Sequence, residues 1–367
     1  MRLNRPALPR LSPPPGAVRT AAATRRGVDR LSRAMTLPVL RILEQTVAMV
    51  EVRATTAFVE LGVPDVLANG PKSSAAIAAE LRVDESRLDR LLLFLATRGI
   101  VRRVGEQFGL TATSDLLRTD HPDSLRDWVL FQGSAWQWHA WEWLTDGVLG
   151  TDTPFEQAHG VPYFDHLASH PDHAERFDAA MRATSQLQGE LVARKLRLAN
   201  VATVCDVGGG TGSILARLLA RNPGLSGILA EVPSTLSRAT DVLEAAGVAD
   251  RVELVATDMF AAVPPGADRY LLSAVLHDWN DDAAVAILNN VRRALRPGAR
   301  IWVAELELPS HDGASLERAY DLLMLTLGGG RERNRADFEK LYRAAGLLLV
   351  DDHVLANGWH VHELSAA

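Results

Sequence analysis

The sequence predicts an α/β protein, with a doubly wound sheet over residues 200–367 behind a mainly helical N-terminal half. Three observations carry this. Residues 200–365 alternate short apolar or β-branched runs with helical runs. Strands are expected at 201–207, 227–231, 252–256, 269–274, 300–306, 347–353 and 359–364. The first of them runs into Asp206-Val207-Gly208-Gly209-Gly210-Thr211-Gly212 and then into helical spacing over Ser213–Leu219. Residues 36–68, in contrast, repeat apolar residues at helical spacing from Leu40 to Leu61 until Gly62 and Pro64 stop the pattern. In a doubly wound sheet the ligand sits at the carboxyl ends of the central strands.

Composition bounds the classes. The chain has 367 residues, 47% hydrophobic and 23% charged, as in an ordinary globular protein of two or three domains. No apolar run is long enough to span a membrane. The single cysteine, Cys205, excludes internal disulfides and fits a reducing cytoplasm. Net charge is −6, but residues 1–34 hold eight arginines and one aspartate beside five prolines. That leader cannot bury a core and is expected to be disordered, either as a basic arm or as an extension upstream of the true start. The rest of the chain is acidic, which gives no electrostatic support for nucleic-acid binding.

The N-terminal half divides in order. Residues 36–68 are apolar on more than one face, as an interhelical or subunit contact requires. Residues 73–110 read as a winged helix: Ser73-Ser74 caps a helix to Leu81, Asp84 caps a second helix carrying Leu88, Leu91, Leu92 and Leu95, and two strands meet at Gly105-Glu106. From Lys72 to Asp120 eight basic residues face seven acidic ones, so a DNA-reading surface is disfavoured and packing against a second copy is favoured. Residues 121–200 are mainly helical, with five tryptophans between Trp128 and Trp143. They read equally as a helical core or as a flat wall for an aromatic ligand, with Met181 on the helix 174–184 suited to either.

The glycine loop narrows the ligand. A dinucleotide fingerprint would place a third glycine where Ser213 stands. Asp206, two places before the glycines, repels a pyrophosphate and favours an ammonium group. S-adenosylmethionine (SAM) carries an ammonium, a sulfonium and a ribose with two free hydroxyls. The second strand ends in Glu231, placed to accept both ribose hydroxyls, and the third runs into Asp258 and Met259, suited to an adenine amino group and ring face. The fourth strand emerges at His277, followed by Asp278-Trp279, and Asp281-Asp282 opens the next helix.

At these residues the chain resembles the plant-type small-molecule O-methyltransferases, which are SAM-dependent and include bacterial anthracycline-type members. The likeness runs from about residue 40 to the C-terminus. It rests on Asp206–Gly212, on Asp258-Met259-Phe260 through His277-Asp278-Trp279, and on Pro297-Gly298 leading to Glu305. It implies a class I methyltransferase domain at 200–367, a winged-helix dimerisation domain at 35–120, and a helical pocket region at 121–199 between them. It implies His277 as the base that deprotonates a substrate hydroxyl, with Glu305 and Glu332 orienting it. Its cofactor positions fall on Gly208, Gly210, Glu231, Asp258, Met259 and Ser273, and its substrate positions on Met181, Asp278 and Met324. The serine at 273 leans toward the bacterial members, whereas the Gly328–Arg333 loop departs from the plant pattern. A homodimer acting on a small hydroxylated aromatic or polyketide-type compound follows. Divergent SAM chemistry (N-methylation, hydroxylation or decarboxylation) is the alternative, and a DNA-binding regulator a more distant one.

The chemistry agrees. A phenol with a pKa of about 10 is a poor nucleophile until deprotonated, and an imidazole titrating near 6.5 can take the proton. The rate is therefore expected to fall below about pH 6.5. No metal is required, and His353, His360 and His362 lie near the terminus without a zinc-like pattern.

Overall fold

The computed structural model describes residues 24–367 apart from 25–26, 29, 33, 151, 197, 312–314 and 356–357. Most of the arginine-rich leader thus lies outside the described residues.

Three helices, Pro38–Thr46, Ala48–Glu60 and Val63–Val66, replace the single helical run read over 36–68, with breaks at Val47 and at Gly62. The first buries no residue and exposes Leu40, Ile42 and Leu43. Next come the helices Ser74–Leu81 and Glu85–Thr97, capped by Ser73 and Asp84 as expected, and a three-stranded sheet. Its strands are β1 (Lys72–Ser73), β2 (Val101–Val104) and β3 (Gln107–Leu110), ordered β1-β3-β2. This is the helix-and-wing arrangement read from the sequence, with β1 added. Phe58, Leu88, Leu92, Leu95 and Phe108 form its core.

Seven helices follow among the described residues, ending in the long helix Pro171–Lys195, which extends well beyond the 174–184 read from the pattern. Gly189 lies within it, where the backbone of Ile214 packs against the helix and leaves little room for a Cβ.

The C-terminal sheet has the seven expected strands: β4 (Thr203–Val207), β5 (Ser226–Glu231), β6 (Val252–Ala256), β7 (Arg269–Ser273), β8 (Arg300–Leu306), β9 (Leu347–Val354) and β10 (Trp359–Ala366). Their order is β6-β5-β4-β7-β8-β10-β9. The first five in that order run parallel, and β10 pairs antiparallel with both β8 and β9. Alternate residues feed two cores: Cys205, Val207, Tyr270, Leu272, Ile301 and Val303 on one face, and Val204, Leu229, Leu271 and Trp302 on the other. The chain order reverses between β4 and β7, which opens a crevice at their carboxyl ends.

Candidate active site

The crevice is built first by the turn after β4. Asp206, one residue before the end of β4, is almost fully buried, beneath Gly209. Gly208, Gly210 and Gly212 all take positive φ (66°, 58° and 78°), a conformation that L side chains rarely adopt. The turn then delivers the helix Ser213–Arg221. Both Asp206 carboxylate oxygens lack a hydrogen-bond partner among the described residues. Burial, then the neighbouring Glu231 charge, pushes this carboxyl up to about 7. Glu231, at the end of β5, accepts the N–H of Gly210 (3.0 Å) and of Val232 (2.7 Å), so it also ties the glycine turn to the next strand. Burial raises its pKa as well.

Past β6, Asp258 is exposed and its carboxylate accepts the Phe260 N–H at 2.9 Å, closing a local turn. Met259 is half-buried, and its sulfur lies beside Gly208. Ser273 ends β7 with its hydroxyl unpartnered. The cofactor positions named from the sequence therefore line one sheet edge.

His277 sits on a turn that needs several supports. Ala274 has φ 54°, unusual for a residue with a side chain, and its N–H is held by the Ala304 carbonyl at 3.0 Å. The N–H groups of Val275 and Leu276 both donate to Glu305 Oε1, at 3.0 and 2.8 Å. The Arg331 N–H reaches the His277 carbonyl at 2.8 Å. A side chain at Gly330 would collide with that same carbonyl. Arg333 is fully buried and donates to Asp281 Oδ1 (2.9 Å) and to the carbonyls of Leu276 (2.7 Å) and Trp279 (2.8 Å). The imidazole is thereby fixed at a strand end, as the sequence suggested.

Its ring is surrounded by carboxylates. Nδ1 meets Glu332 Oε1 at 3.0 Å and Glu305 Oε2 at 3.6 Å, and Nε2 lies 3.6 Å from Asp278 Oδ1. Glu332 is itself placed by its N–H on Asp321 at 2.9 Å. Burial of the ring disfavours its charge, but Glu305, Asp278 and Glu332 together outweigh burial and push the imidazole up to about 10. Burial in turn raises the Glu305 carboxyl to about 7 and that of Asp278 to about 6. The sequence suggested an imidazole titrating near 6.5; the acids beside the ring favour its charged form and raise that value.

Beside this turn lies an aromatic layer. Phe131, Trp136, Phe155, Tyr163, Leu323 and Leu327 form its buried part, and Trp128, Trp141, Met181 and Met324 pack against it. Phe164 stacks on Trp279 at 5.7 Å, which joins the layer to the His277 turn. The tryptophans thus divide: Trp128, Trp136 and Trp141 join the layer with Met181 and Met324, whereas Trp138 donates to the Gln132 carbonyl and lies under Arg53, toward the N-terminal helices.

Two histidine groups fall outside this site. His166, His170 and His173 stack with interplanar angles of 10–16°, with His166 Nε2 2.9 Å from His173 Nδ1 and one ring nitrogen of each within 4.8 Å of the others. His360 and His362 converge with Glu307 and Asp352, which their positions near the terminus did not suggest. Arg335 joins the same group, paired with Glu307 at 2.7 Å and with Asp352.

Arg333, Gly330 and Asp321 were not singled out from the sequence as parts of the site. The Arg331-Glu332-Arg333 run was the available signal, since charges flanking a site glutamate in a glycine-rich loop are candidates to anchor it.

A glycine turn and a terminal acid at successive strand ends, with a carboxylate-flanked histidine on the fourth, define a class I SAM-dependent methyltransferase site. Residues 141–348 match the O-methyltransferase domain model and residues 43–120 the O-methyltransferase dimerisation domain model. The chain belongs to the O-methyltransferase family. It is 37% identical to the mitomycin biosynthesis 6-O-methyltransferase of Streptomyces lavendulae, over 80% of this chain and 85% of that protein. It is 33% identical to a phenazine O-methyltransferase of Lysobacter antibioticus, over 87% and 94%. Its structure is similar to that of an O-methyltransferase from neocarzinostatin biosynthesis, solved with SAM and 2-hydroxy-5-methyl naphthoic acid (TM-score 0.72, 30% identity, 86% and 96% covered). The chain is thus a SAM-dependent methyltransferase, and its dimerisation domain makes the homodimer its assembly. The residues present fit SAM: Asp206 offers two buried, unpartnered acceptors beneath the glycine turn, and Glu231 a carboxylate at the neighbouring strand end.

Proposed function

We propose that this enzyme methylates a hydroxyl of a small aromatic natural product, with His277 as the general base. The observation that carries the reading is the contact of His277 Nδ1 with Glu332 at 3.0 Å. A carboxylate there fixes the proton on Nδ1, so Nε2 presents its lone pair to the acceptor hydroxyl. Glu305 shapes the turn through two backbone N–H groups and keeps its second oxygen beside the ring. Bound SAM supplies an electrophilic methyl group on a positively charged sulfur. Gly208, Gly210, Glu231, Asp258, Met259 and Ser273 are assigned to hold it, and Met181, Asp278 and Met324 to face the acceptor. Help from the base is worth roughly 10²–10⁴ in rate, and in-line positioning supplies much of the rest.

The aromatic layer beside the turn supports an aromatic acceptor, as do relatives named for mitomycin biosynthesis and as a phenazine O-methyltransferase, and a structural neighbour solved with a naphthoic acid. The reading divides the chain at about residues 35, 120 and 200, as its sequence pattern does, and carries with it a cytoplasmic setting, supported by one buried, free cysteine. No helix among the described residues is long and apolar enough to cross a membrane.

The test is His277→Ala. Turnover of a neutral phenol at pH 7 is expected to fall about 10²–10⁴-fold while SAM affinity stays nearly intact. Full turnover in that variant would make the histidine structural.

A further inference from the structure

Two polar side chains lie in the aromatic layer without partners. Gln137 is 1% exposed, and neither its amide nitrogen nor its amide oxygen makes a hydrogen bond among the described residues. Tyr163 is 5% exposed, and its hydroxyl is unpartnered too. Apolar rings surround the phenol: Trp136 stacks on it at 6.2 Å, and Phe155 and Phe177 meet it edge-on at 4.9 and 5.8 Å. A buried amide or phenol without a partner is a standing cost, and an apolar residue at either place would avoid it. Gln137 faces the Tyr163 phenol closely enough to favour its ionised form as a hydrogen-bonding neighbour, yet the pair falls short of hydrogen-bond geometry, so the polar atoms of both stay open to a further polar group.

The pair belongs to the acceptor side of the site. The Asp278 carboxylate, next to His277, is the charged group that acts on the Tyr163 phenol. The residue after Tyr163, Phe164, stacks on Trp279. Met181 and Met324 pack in the same layer.

We propose that Gln137 and Tyr163 form a polar subsite that binds an uncharged oxygen substituent, a ring carbonyl or a second hydroxyl, elsewhere on the acceptor's aromatic skeleton. The proposal rests on the reading of the acceptor given above. The amide offers a donor and an acceptor, and the phenol either, so the pair matches a carbonyl or a hydroxyl alike. A carboxylate is disfavoured, because the charge acting on this phenol is the negative one of Asp278. An acceptor without a second polar group leaves both side chains unpaired.

The test compares wild type, Gln137→Leu and Tyr163→Phe on three probes: a plain naphthol, a dihydroxynaphthalene and a hydroxynaphthoate. Each is read by kcat/KM and, independently of turnover, by calorimetric Kd in the presence of S-adenosylhomocysteine. Wild type is expected to favour the dihydroxynaphthalene over both other probes by about tenfold or more, and each substitution to bring its ratio to the naphthol toward one. A wild type that does not discriminate, or that favours the hydroxynaphthoate, overturns the proposal. So do two folded variants that both keep the wild-type ratio, even where methyl transfer itself stands. Conversely, if no probe is methylated but the binding preference and its loss in the variants persist, the hydroxyl-acceptor reading fails and the subsite stands. Tyr163→Phe changes one atom and keeps the test decisive if Gln137→Leu misfolds, as the melting temperature reports.

Discussion

Exchanging Glu332 for glutamine separates charge from shape beside His277. The amide keeps an oxygen that can accept from Nδ1, but the anion 3.0 Å from the ring is gone. At an effective dielectric of about 20, unit charges at that distance attract by roughly 5 kcal/mol, which bounds the effect at about four pKa units. Glu305 and Asp278 remain, each 3.6 Å from a ring nitrogen, and burial already opposes the charge. A fall of about one to three units is therefore expected. The wild-type imidazole lies at about 10, so the acid limb of the rate profile stands above the pH 6.5 expected of a free imidazole. In Glu332→Gln that limb moves to lower pH, because the neutral imidazole persists further into acid. The plateau falls roughly tenfold to hundredfold, since the imidazolium formed during transfer loses a counter-charge. Single-turnover methyl transfer from about pH 6 to about pH 10 measures both. Stability gives a second readout. A raised pKa means that the stabilisation from His277 is complete below about pH 6.5 and is lost as pH climbs toward the folded value. The wild-type melting temperature should decline across that window more steeply than that of the variant. A limb that stays in place or moves upward would refute the assignment of Glu332 as the charge partner.

Three further outcomes are expected. Glu231→Gln should weaken SAM binding by about 1.5–3 kcal/mol in calorimetry, because the carboxylate that accepts the Gly210 N–H is the one proposed to accept the ribose hydroxyls. Arg333→Met removes the buried guanidinium that clamps Leu276, Trp279 and Asp281, and should lower stability by about 2–4 kcal/mol in denaturant melts, with turnover falling alongside. Leu40→Glu with Leu43→Glu, on the helix that buries nothing within its own chain, should shift the light-scattering mass from dimer toward monomer.

The sheet was legible because its central strands are buried on both faces, so each reads as a continuous apolar run bounded by turn residues. His277 was legible for a related reason: a polar residue directly after such a run emerges at the sheet edge. The direction of β10 was not, since an apolar run looks the same whichever way it pairs. Nor was the break at Val47, where neither glycine nor proline interrupts the pattern. Arg333 reads as a surface charge until its partners, from a segment distant in sequence, close around it. The necessity of Gly330 is a matter of tertiary approach to the His277 carbonyl. The raised proton affinity of the His277 ring was hidden most completely. It depends on Glu305, Asp278 and Glu332 meeting one ring, and spacing along the chain gives no distance between them.

That strength bears on how the proposed proton transfer works. Between a phenol with a pKa of about 10 and a free imidazole at about 6.5, transfer is uphill by roughly 5 kcal/mol. A ring raised to about 10 makes the same transfer close to even. The gain has a cost, because at neutral pH the empty site then holds an imidazolium rather than a base. Positive charge brought into the site works against that protonation, and bound SAM carries such a charge on its sulfur. The same charge favours an anionic oxygen over a neutral one. Three carboxylates around one histidine are thus compatible with a base role in an enzyme whose cofactor is cationic. On the proposed reading the carboxylates would support the imidazolium once the phenol proton has arrived, and the charge of bound SAM would work against protonation of the ring from water beforehand.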